Sequence, residues 1–155
     1  MWDKIIAVNL TSAFHTTKLS LPLMRSKNWG RIVNVASVHG LVASADKSAY
    51  VAAKHGLVGL TKVTALENAR SGITCNAVCP GWVLTPLVKL QIEARAAKQG
   101  TDFESAKRDL LQEKQPSCDF VTEEQLGGLV TFLCSSAADE VRGVAWAMDG
   151  GWTAQ

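Results

Sequence analysis

Apolar side chains recur every three or four residues through the first part of the chain, which is the period of a helix with one buried face. The stripe consists of Trp2, Ile5, Ile6, Leu10, Ala13, Phe14, Leu21 and Met24. This pattern predicts a helix over residues 2–27. Pro22 is expected to kink that helix or to end it early, because proline lacks the backbone N–H and clashes with the preceding turn.

Three short apolar runs, bounded by glycine or proline, predict strands. They read RIVNVAS at 31–37, ITCNAVC at 73–79 and GVAWAM at 143–148. Their nearly continuous apolar character is typical of strands that are covered on both faces. The sheet is therefore expected to lie between layers of helices.

A second long helix is predicted over residues 47–70, with Ser44 or Asp46 as its candidate N-cap. Gly56 and Gly59 fall inside it, and each weakens a helix by about 1 kcal/mol relative to alanine. Their presence indicates the close approach of another backbone.

Residues 85–120 are polar and charged, with two short helical patches at 88–98 and 103–114. We interpret this segment as an excursion from the sheet that serves as a substrate lid. After it, a capping box formed by Thr122 and Gln125 starts another helix.

The elements alternate between helices and strands, and this order predicts parallel strands joined by right-handed crossovers. The predicted fold is a doubly wound α/β sheet of about three strands with flanking helices. Because a domain usually has roughly 100 to 200 residues, the 155 residues are expected to form a single domain, 1–155.

Composition and charge narrow the function classes. The chain is 47% hydrophobic, and 16 basic against 14 acidic residues give a net charge of +2, which argues against nucleic acid as the main partner. No run approaches the ~18 apolar residues of a membrane span, and no secretory signal opens the sequence. We therefore expect a cytoplasmic protein.

The four cysteines fit a reducing compartment. Cys75 and Cys79 lie on one predicted strand about 13 Å apart, too far for a disulfide. All four cysteines are expected to be small core residues. No cluster of cysteine and histidine has the spacing of zinc ligands, so no metal site is predicted.

Tyr50 and Lys54 are four residues apart on a predicted helix, so both side chains lie on one face. An ammonium about 5 Å from a phenol, at an effective dielectric of about 20, favours the phenolate by roughly 3 kcal/mol. Tyr50 would then exchange a proton with a substrate hydroxyl near neutral pH. The alternative is an ordinary tyrosine beside a solvated lysine.

Ser37 ends a predicted strand thirteen residues before Tyr50, at the sheet edge where ligands of parallel sheets bind. It either hydrogen-bonds a substrate oxygen or merely caps a turn. Asn9 falls on the apolar stripe and needs a partner, either as a satisfied core amide or as a hydrogen-bond site. A serine hydrolase using Ser37 and His39 is disfavoured, because no G-x-S-x-G motif is present.

Pro80 and Gly81 follow the second strand at the same predicted edge. Glycine permits the close approach of a ligand to the backbone. Val83 and Thr85 come next and offer backbone and hydroxyl groups. As a bare dipeptide, Pro-Gly is also an ordinary turn.

Taken together, these motifs resemble the short-chain dehydrogenase/reductase family, whose fold is Rossmann-like. The matching stretches are VNL at 8–10, IVNVAS at 32–37, YVAAK at 50–54, NAVCPG at 76–81 and DGGW at 149–152. The resemblance implies that Tyr50 is the general acid/base and that Lys54 favours the phenolate and holds the nicotinamide ribose. Ser37 would orient the reacting oxygen, and Asn9 would hold a water in a proton relay. The segment 80–85, with Pro80, Gly81, Val83 and Thr85, would contact the nicotinamide end of NAD.

Longer stretches are similar to the family members that interconvert 3-hydroxybutyrate and acetoacetate in ketone-body metabolism, namely NWGRIVNVASVHGLV, SAYVAAKHG, CNAVCPGWVLTPLV, EKQPS and DGGWTAQ. This resemblance implies an NAD-dependent oxidoreductase with a small carboxylate as substrate. His39, Lys47 and Gln91 would hold the carboxylate, and Trp82 and Trp152 would wall a small pocket. In the family, helices matching 2–27 and 47–70 pack against their copies, which implies a homo-oligomer, here a homotetramer.

The chain departs from the family pattern in one respect. The strand and Gly-rich turn that bind a cofactor pyrophosphate are missing, so N-terminal βα units of on the order of 100 residues are expected to be absent. A fragment of this kind would expose an unpaired strand edge and aggregate or associate. Two alternatives remain: a 3-oxoacyl thioester reductase of the same family, and a truncated, non-catalytic product that keeps only the oligomerisation surface.

Overall fold

Three parallel strands lie at the centre of the fold in the order β1 (Gly30–Val35), β2 (Ile73–Pro80) and β3 (Ala145–Met148). The computed structural model describes residues 1–154. Gly30 pairs with Ile73 at the start of the β1–β2 ladder, and Pro80 pairs with Met148 at the end of the β2–β3 ladder. Every residue of the central strand β2 is buried, which confirms the predicted α/β architecture with a parallel sheet.

The first helical segment runs through α1 (Trp2–Ile6), a π-helical turn (Ala7–Thr11) and α2 (Ser12–Ser26). Pro22 lies inside α2, which continues to Ser26, so the helical segment matches the predicted range 2–27 and does not end early at the proline. One missing backbone hydrogen bond does not stop a helix that packs on the sheet. That packing is close, because a Cβ at Gly30 would lie 2.6 Å from Met24 Sδ.

Helix α3 (Ser48–Glu67) packs across β1 and β2, where Leu57 and Val58 join the core. Its N-cap residue is Lys47, without a side-chain capping bond, so the prediction of Ser44 or Asp46 was wrong. Asp46 lies one residue before that position with a left-handed backbone (φ 63°).

The expectation of a second backbone beside the glycines of α3 was not met within this chain. A Cβ at Gly56 would lie 2.8 Å from Leu10 Cδ2, so a leucine side chain and not a backbone occupies that space. Nothing lies within 4 Å of a Cβ at Gly59. Gly56 therefore serves the contact between α3 and the first helical segment.

Two helices, α4 (Pro86–Gln99) and α5 (Phe103–Gln112), form a pair outside the sheet. Thr85 and Asp102 cap them by accepting hydrogen bonds from the N–H groups of the first turns. The pair has its own apolar cluster, which consists of Val88, Ile92, Ala96 and Ala106 with Trp82, Phe103, Leu110 and Phe120 packed against it. The excursion is therefore a packed helical unit attached to the end of β2.

Helix α6 (Glu123–Cys134) begins at the predicted capping box of Thr122 and Gln125, in which both reciprocal hydrogen bonds are present. Among the described helices, none is long and apolar enough to cross a lipid bilayer.

The cysteines divide between core and surface. Cys75 and Cys79 are buried in β2, as expected, but Cys118 and Cys134 are exposed, so the prediction that all four are core residues was wrong. Cys118 lies in a tight turn with φ 58°, and Cys134 ends α6, and neither position faces the core. The burial preference of free cysteine is statistical, and it does not decide a position in a turn or at a helix end.

Candidate functional site

A cavity of about 630 Å³ opens at the carboxyl end of the sheet, the edge at which parallel sheets bind ligands. Most of the predicted site residues line it, namely Ser37, His39, Lys47, Tyr50, Gly81, Trp82, Val83, Thr85, Gln91 and Trp152. They come from the loops after all three strands, from the start of α3 and from the first two turns of α4. The cavity therefore collects side chains from positions far apart in the sequence.

Lys54 is buried in α3 one helical turn after Tyr50, and it does not line the cavity. Its ammonium is 5.6 Å from the centroid of the Tyr50 ring and donates a 2.9 Å hydrogen bond to Val35 O, at the end of β1. Burial lowers the pKa of Lys54, and the nearby Cys79 acts against that shift. An ammonium has three donors, so two remain after the bond to Val35.

Ser37 follows β1 and caps the 3-10 turn Val38–Gly40, because its Oγ accepts a 3.2 Å hydrogen bond from His39 N. The same hydroxyl lines the cavity. Its own proton is free to be donated, since the capping bond uses only an oxygen lone pair. Ser37 thus caps a turn and also offers a donor to a ligand.

Four side chains form a closed ring at one end of the cavity, which we call the aromatic–cation ring: Lys47, His39, Trp152 and Trp82. Lys47 Nζ is 3.2 Å from His39 Nε2 and 5.5 Å from the Trp82 ring centroid. The ring of Trp152 stands edge-on to His39 at 5.5 Å and lies 5.8 Å from Trp82. A single ammonium is thereby presented beside aromatic surfaces, which suits a small anionic ligand.

Burial lowers the pKa of His39 to about 4, with the charges of Lys47, Lys114 and His55 acting in the same direction. The imidazole is therefore neutral at pH 7. An ammonium only donates, so Nε2 accepts from Lys47 and the proton resides on Nδ1. Nδ1 is buried and has no hydrogen-bond partner among the described residues.

The lowered pKa of His39 predicts that the folded protein loses stability in acid. The unfolded chain binds a proton at His39 near pH 6.5 and the folded protein only near pH 4, so the free energy of unfolding falls as the pH drops through that window. The expected loss is roughly 3 kcal/mol. Urea denaturation at a series of pH values measures it.

The matched control replaces a histidine on the surface. His39→Gln should flatten the acid limb of the stability profile, whereas His15→Gln, at an exposed position on α2, should leave it unchanged. Equal slopes in the wild type and His39→Gln would contradict the assignment of a neutral, buried His39.

The other predicted residues take different places. Gln91 is exposed on α4 and reaches the cavity wall. Asn9 is half-buried in the π-helical turn, where its Nδ2 donates a 3.1 Å hydrogen bond to Ile5 O, and Pro80 is the last, buried residue of β2. Neither Asn9 nor Pro80 lines the cavity, and the proton-relay role of Asn9 stays a prediction.

Sequence reasoning missed two buried polar residues that support the site. Asp149 accepts hydrogen bonds from Gly151 N, Thr153 N and Thr153 Oγ1, and so holds the turn that carries Trp152. Gln115 accepts a 2.8 Å hydrogen bond from Trp82 N. The DGG stretch at 149–151 was a signal for the first, whereas Gln115 lies in the EKQPS stretch at 113–117, which assigned it no role.

Comparisons with known proteins assign the class. A family model described as enoyl-(acyl carrier protein) reductase matches residues 1–153. The chain belongs to the short-chain dehydrogenase/reductase family, as the motifs predicted.

Within the family the chain is 70% identical over 154 residues to the D-beta-hydroxybutyrate dehydrogenase of Cupriavidus necator and 53% identical to that of Rhizobium meliloti. Both alignments cover 99% of this chain and 60% of the relative, so the chain spans about three fifths of the length of these relatives.

Solved structures show the same fold. A variant of actinorhodin polyketide ketoreductase with NADPH superimposes with a TM-score of 0.88 at 36% identity, over 97% of this chain and 58% of that one. A 4-hydroxyisoleucine dehydrogenase complexed with NADH gives a TM-score of 0.80 at 30% identity, over 100% of this chain and 60% of that one. The predicted Rossmann-like sheet is thus confirmed.

Proposed function

We propose that the protein is an NAD-dependent oxidoreductase that interconverts 3-hydroxybutyrate and acetoacetate. The observation that carries this proposal is that one cavity is lined by Tyr50 and by the Lys47–His39 pair, with the buried Lys54 ammonium 5.6 Å from the centroid of the Tyr50 ring. The first pair suits proton transfer at an alcohol or ketone oxygen, and the second suits a carboxylate. The names of the two relatives described above agree with this substrate class.

The proton moves at the oxygen on C3 of the substrate. Tyr50 donates its phenolic proton to that oxygen when the ketone is reduced and takes it back when the alcohol is oxidised. The Lys54 ammonium stabilises the phenolate that forms, and Ser37 Oγ donates a hydrogen bond that orients the reacting oxygen. When NAD is bound, it supplies the hydride chemistry.

The residues present fit the nicotinamide end of NAD. Lys54 has two donors left for ribose hydroxyls, and Gly81, Val83 and Thr85 line the cavity wall beside Tyr50. We propose that α4 and α5 act as the substrate lid, because Leu87, Val88 and Gln91 of α4 form the facing wall.

A variant of Lys47 tests whether the protein acts on a charged substrate such as acetoacetate or on a 3-oxoacyl thioester. In the complete protein, Lys47→Met is expected to raise KM for acetoacetate by roughly 10- to 100-fold, because a charge-assisted hydrogen bond is lost. The rate with a 3-oxobutyryl thioester should not change, since that substrate has no carboxylate at this position. Initial-rate kinetics with both substrates measures the difference.

Lys89→Met, at an exposed position on α4, is the matched control and should resemble the wild type. If the wild type prefers the thioester and Lys47→Met affects neither substrate, the protein is better described as a thioester reductase. A polyketide ketoreductase is among its structural neighbours. Calorimetry with NADH separates both enzymes from a non-catalytic product, which would give no binding heat.

A further inference from the structure

We propose that Gln115 is a positioning residue that holds Trp82 and, through Trp82, keeps the Lys47 ammonium at the carboxylate end of the cavity. The inference rests on the proposed function, because it assigns a role in recognising the carboxylate. Gln115 does not line the cavity, so it acts on the ligand only through its neighbours.

Gln115 follows α5 and is completely buried, although its side chain is a polar amide. Both ends of that amide are used: Oε1 accepts from Trp82 N at 2.8 Å, and Nε2 donates to Asp119 O. The backbone of Gln115 is held as well, since its N–H donates to Leu111 O at 2.7 Å. A buried amide that is hydrogen-bonded at both its oxygen and its nitrogen links the segment after α5 to the loop after β2.

The packing around this link leaves little freedom. A Cβ at Gly81 would lie only 2.5 Å from Gln115 Oε1, so the amide fits there because residue 81 is glycine. On the other side, Val121 N donates a 2.9 Å hydrogen bond to Trp82 O. Both backbone polar groups of Trp82 are thus bound by residues 115–121, so this segment fixes the backbone that carries the indole.

The indole in turn sets the position of Lys47. Lys47 is exposed, and within residues 1–154 its ammonium forms no salt bridge. Its contacts in the aromatic–cation ring are His39 at 3.2 Å and the face of Trp82 at 5.5 Å. If Trp82 shifts, one of these two restraints is lost, and a flexible lysine then samples positions away from the ligand.

The test compares acetoacetate with its uncharged methyl ester in the complete protein. Gln115→Met keeps the volume and removes both hydrogen bonds. We expect KM for acetoacetate to rise about tenfold with little change in kcat, whereas the ester keeps its kinetic parameters. The preference for the charged substrate over the ester should therefore fall about tenfold.

Gln115→Glu provides the conservative variant and a second readout. A buried glutamic acid is protonated at and below neutral pH and then has the same acceptor and donor as the amide. At low pH, Gln115→Glu should prefer acetoacetate over the ester as strongly as the wild type does at the same pH. As the carboxyl ionises at higher pH, this preference should fall toward the value for Gln115→Met. This pH profile remains informative if Gln115→Met fails to fold.

Gln112→Met, at an exposed glutamine at the end of α5, is the matched control and should retain the wild-type preference. The inference is overturned if Gln115→Met loses kcat/KM equally for acetoacetate and for the ester, or if it keeps the wild-type preference for acetoacetate. Either result leaves the proposed function standing. A wild type without any preference for acetoacetate over the ester overturns the proposed function and the inference with it.

Discussion

Tyr50→Phe is expected to lower kcat by roughly 10²- to 10⁴-fold, the usual contribution of a general acid/base. The substitution removes only the hydroxyl that exchanges a proton with the C3 oxygen. The phenyl ring retains the packing of the native side chain, which lies 5.9 Å from the His39 ring and 5.6 Å from Lys54 Nζ. Affinity for NADH, measured by fluorescence titration, should therefore stay at the wild-type value while turnover is lost.

Turnover and NADH affinity of Tyr50→Phe have to be measured together, because only the two results combined distinguish proton transfer from cofactor binding. A Tyr50→Phe protein that retains turnover would refute the acid/base role. A protein that loses NADH binding together with turnover would place Tyr50 in cofactor binding instead. Unfolding in urea monitors whether the variant keeps the wild-type stability.

Lys54→Met is expected to impair both proton transfer at Tyr50 and the binding of NADH. The ammonium that stabilises the phenolate is removed, so kcat should fall by about 10²-fold or more. The two donors left for the ribose are also lost, so affinity for NADH should fall by about tenfold. This double effect distinguishes Lys54→Met from Tyr50→Phe, and the same kinetic and titration experiments measure it.

Lys62→Met is the matched control, because Lys62 is exposed on the same helix α3, two turns after Lys54. It should leave both quantities unchanged. If Lys54→Met reduces turnover without changing NADH affinity, the two free donors do not bind the ribose. If it changes neither, the electrostatic account of Tyr50 fails.

Local patterns predicted most of the fold because helices and strands have fixed periods. The capping box at Thr122 was correct, since its partners are three residues apart and its geometry is local. The helix predicted over 2–27 agrees with the observed helical segment, which continues through Pro22 to Ser26. The exposed Cys118 was predicted wrongly, because a residue preference there competes with turn geometry that no local window contains. The N-cap of α3 was also predicted wrongly, because a local preference for Asp or Ser does not reveal that the helix begins after Lys47, one residue beyond the left-handed Asp46.

In the candidate site, too, some features follow from the sequence and others from the tertiary structure. The sequence by itself determined that Tyr50 and Lys54 share a helix face, and it placed Ser37 close to the end of a strand. The resemblance to the family implied that Trp82 and Trp152 wall a pocket with Lys47. Only the tertiary structure gives the contacts among these side chains and shows that Gln115 bonds the backbone of Trp82 from behind. The physical reason is that a helical period fixes neighbours within one turn, whereas contacts between distant segments depend on how whole elements pack.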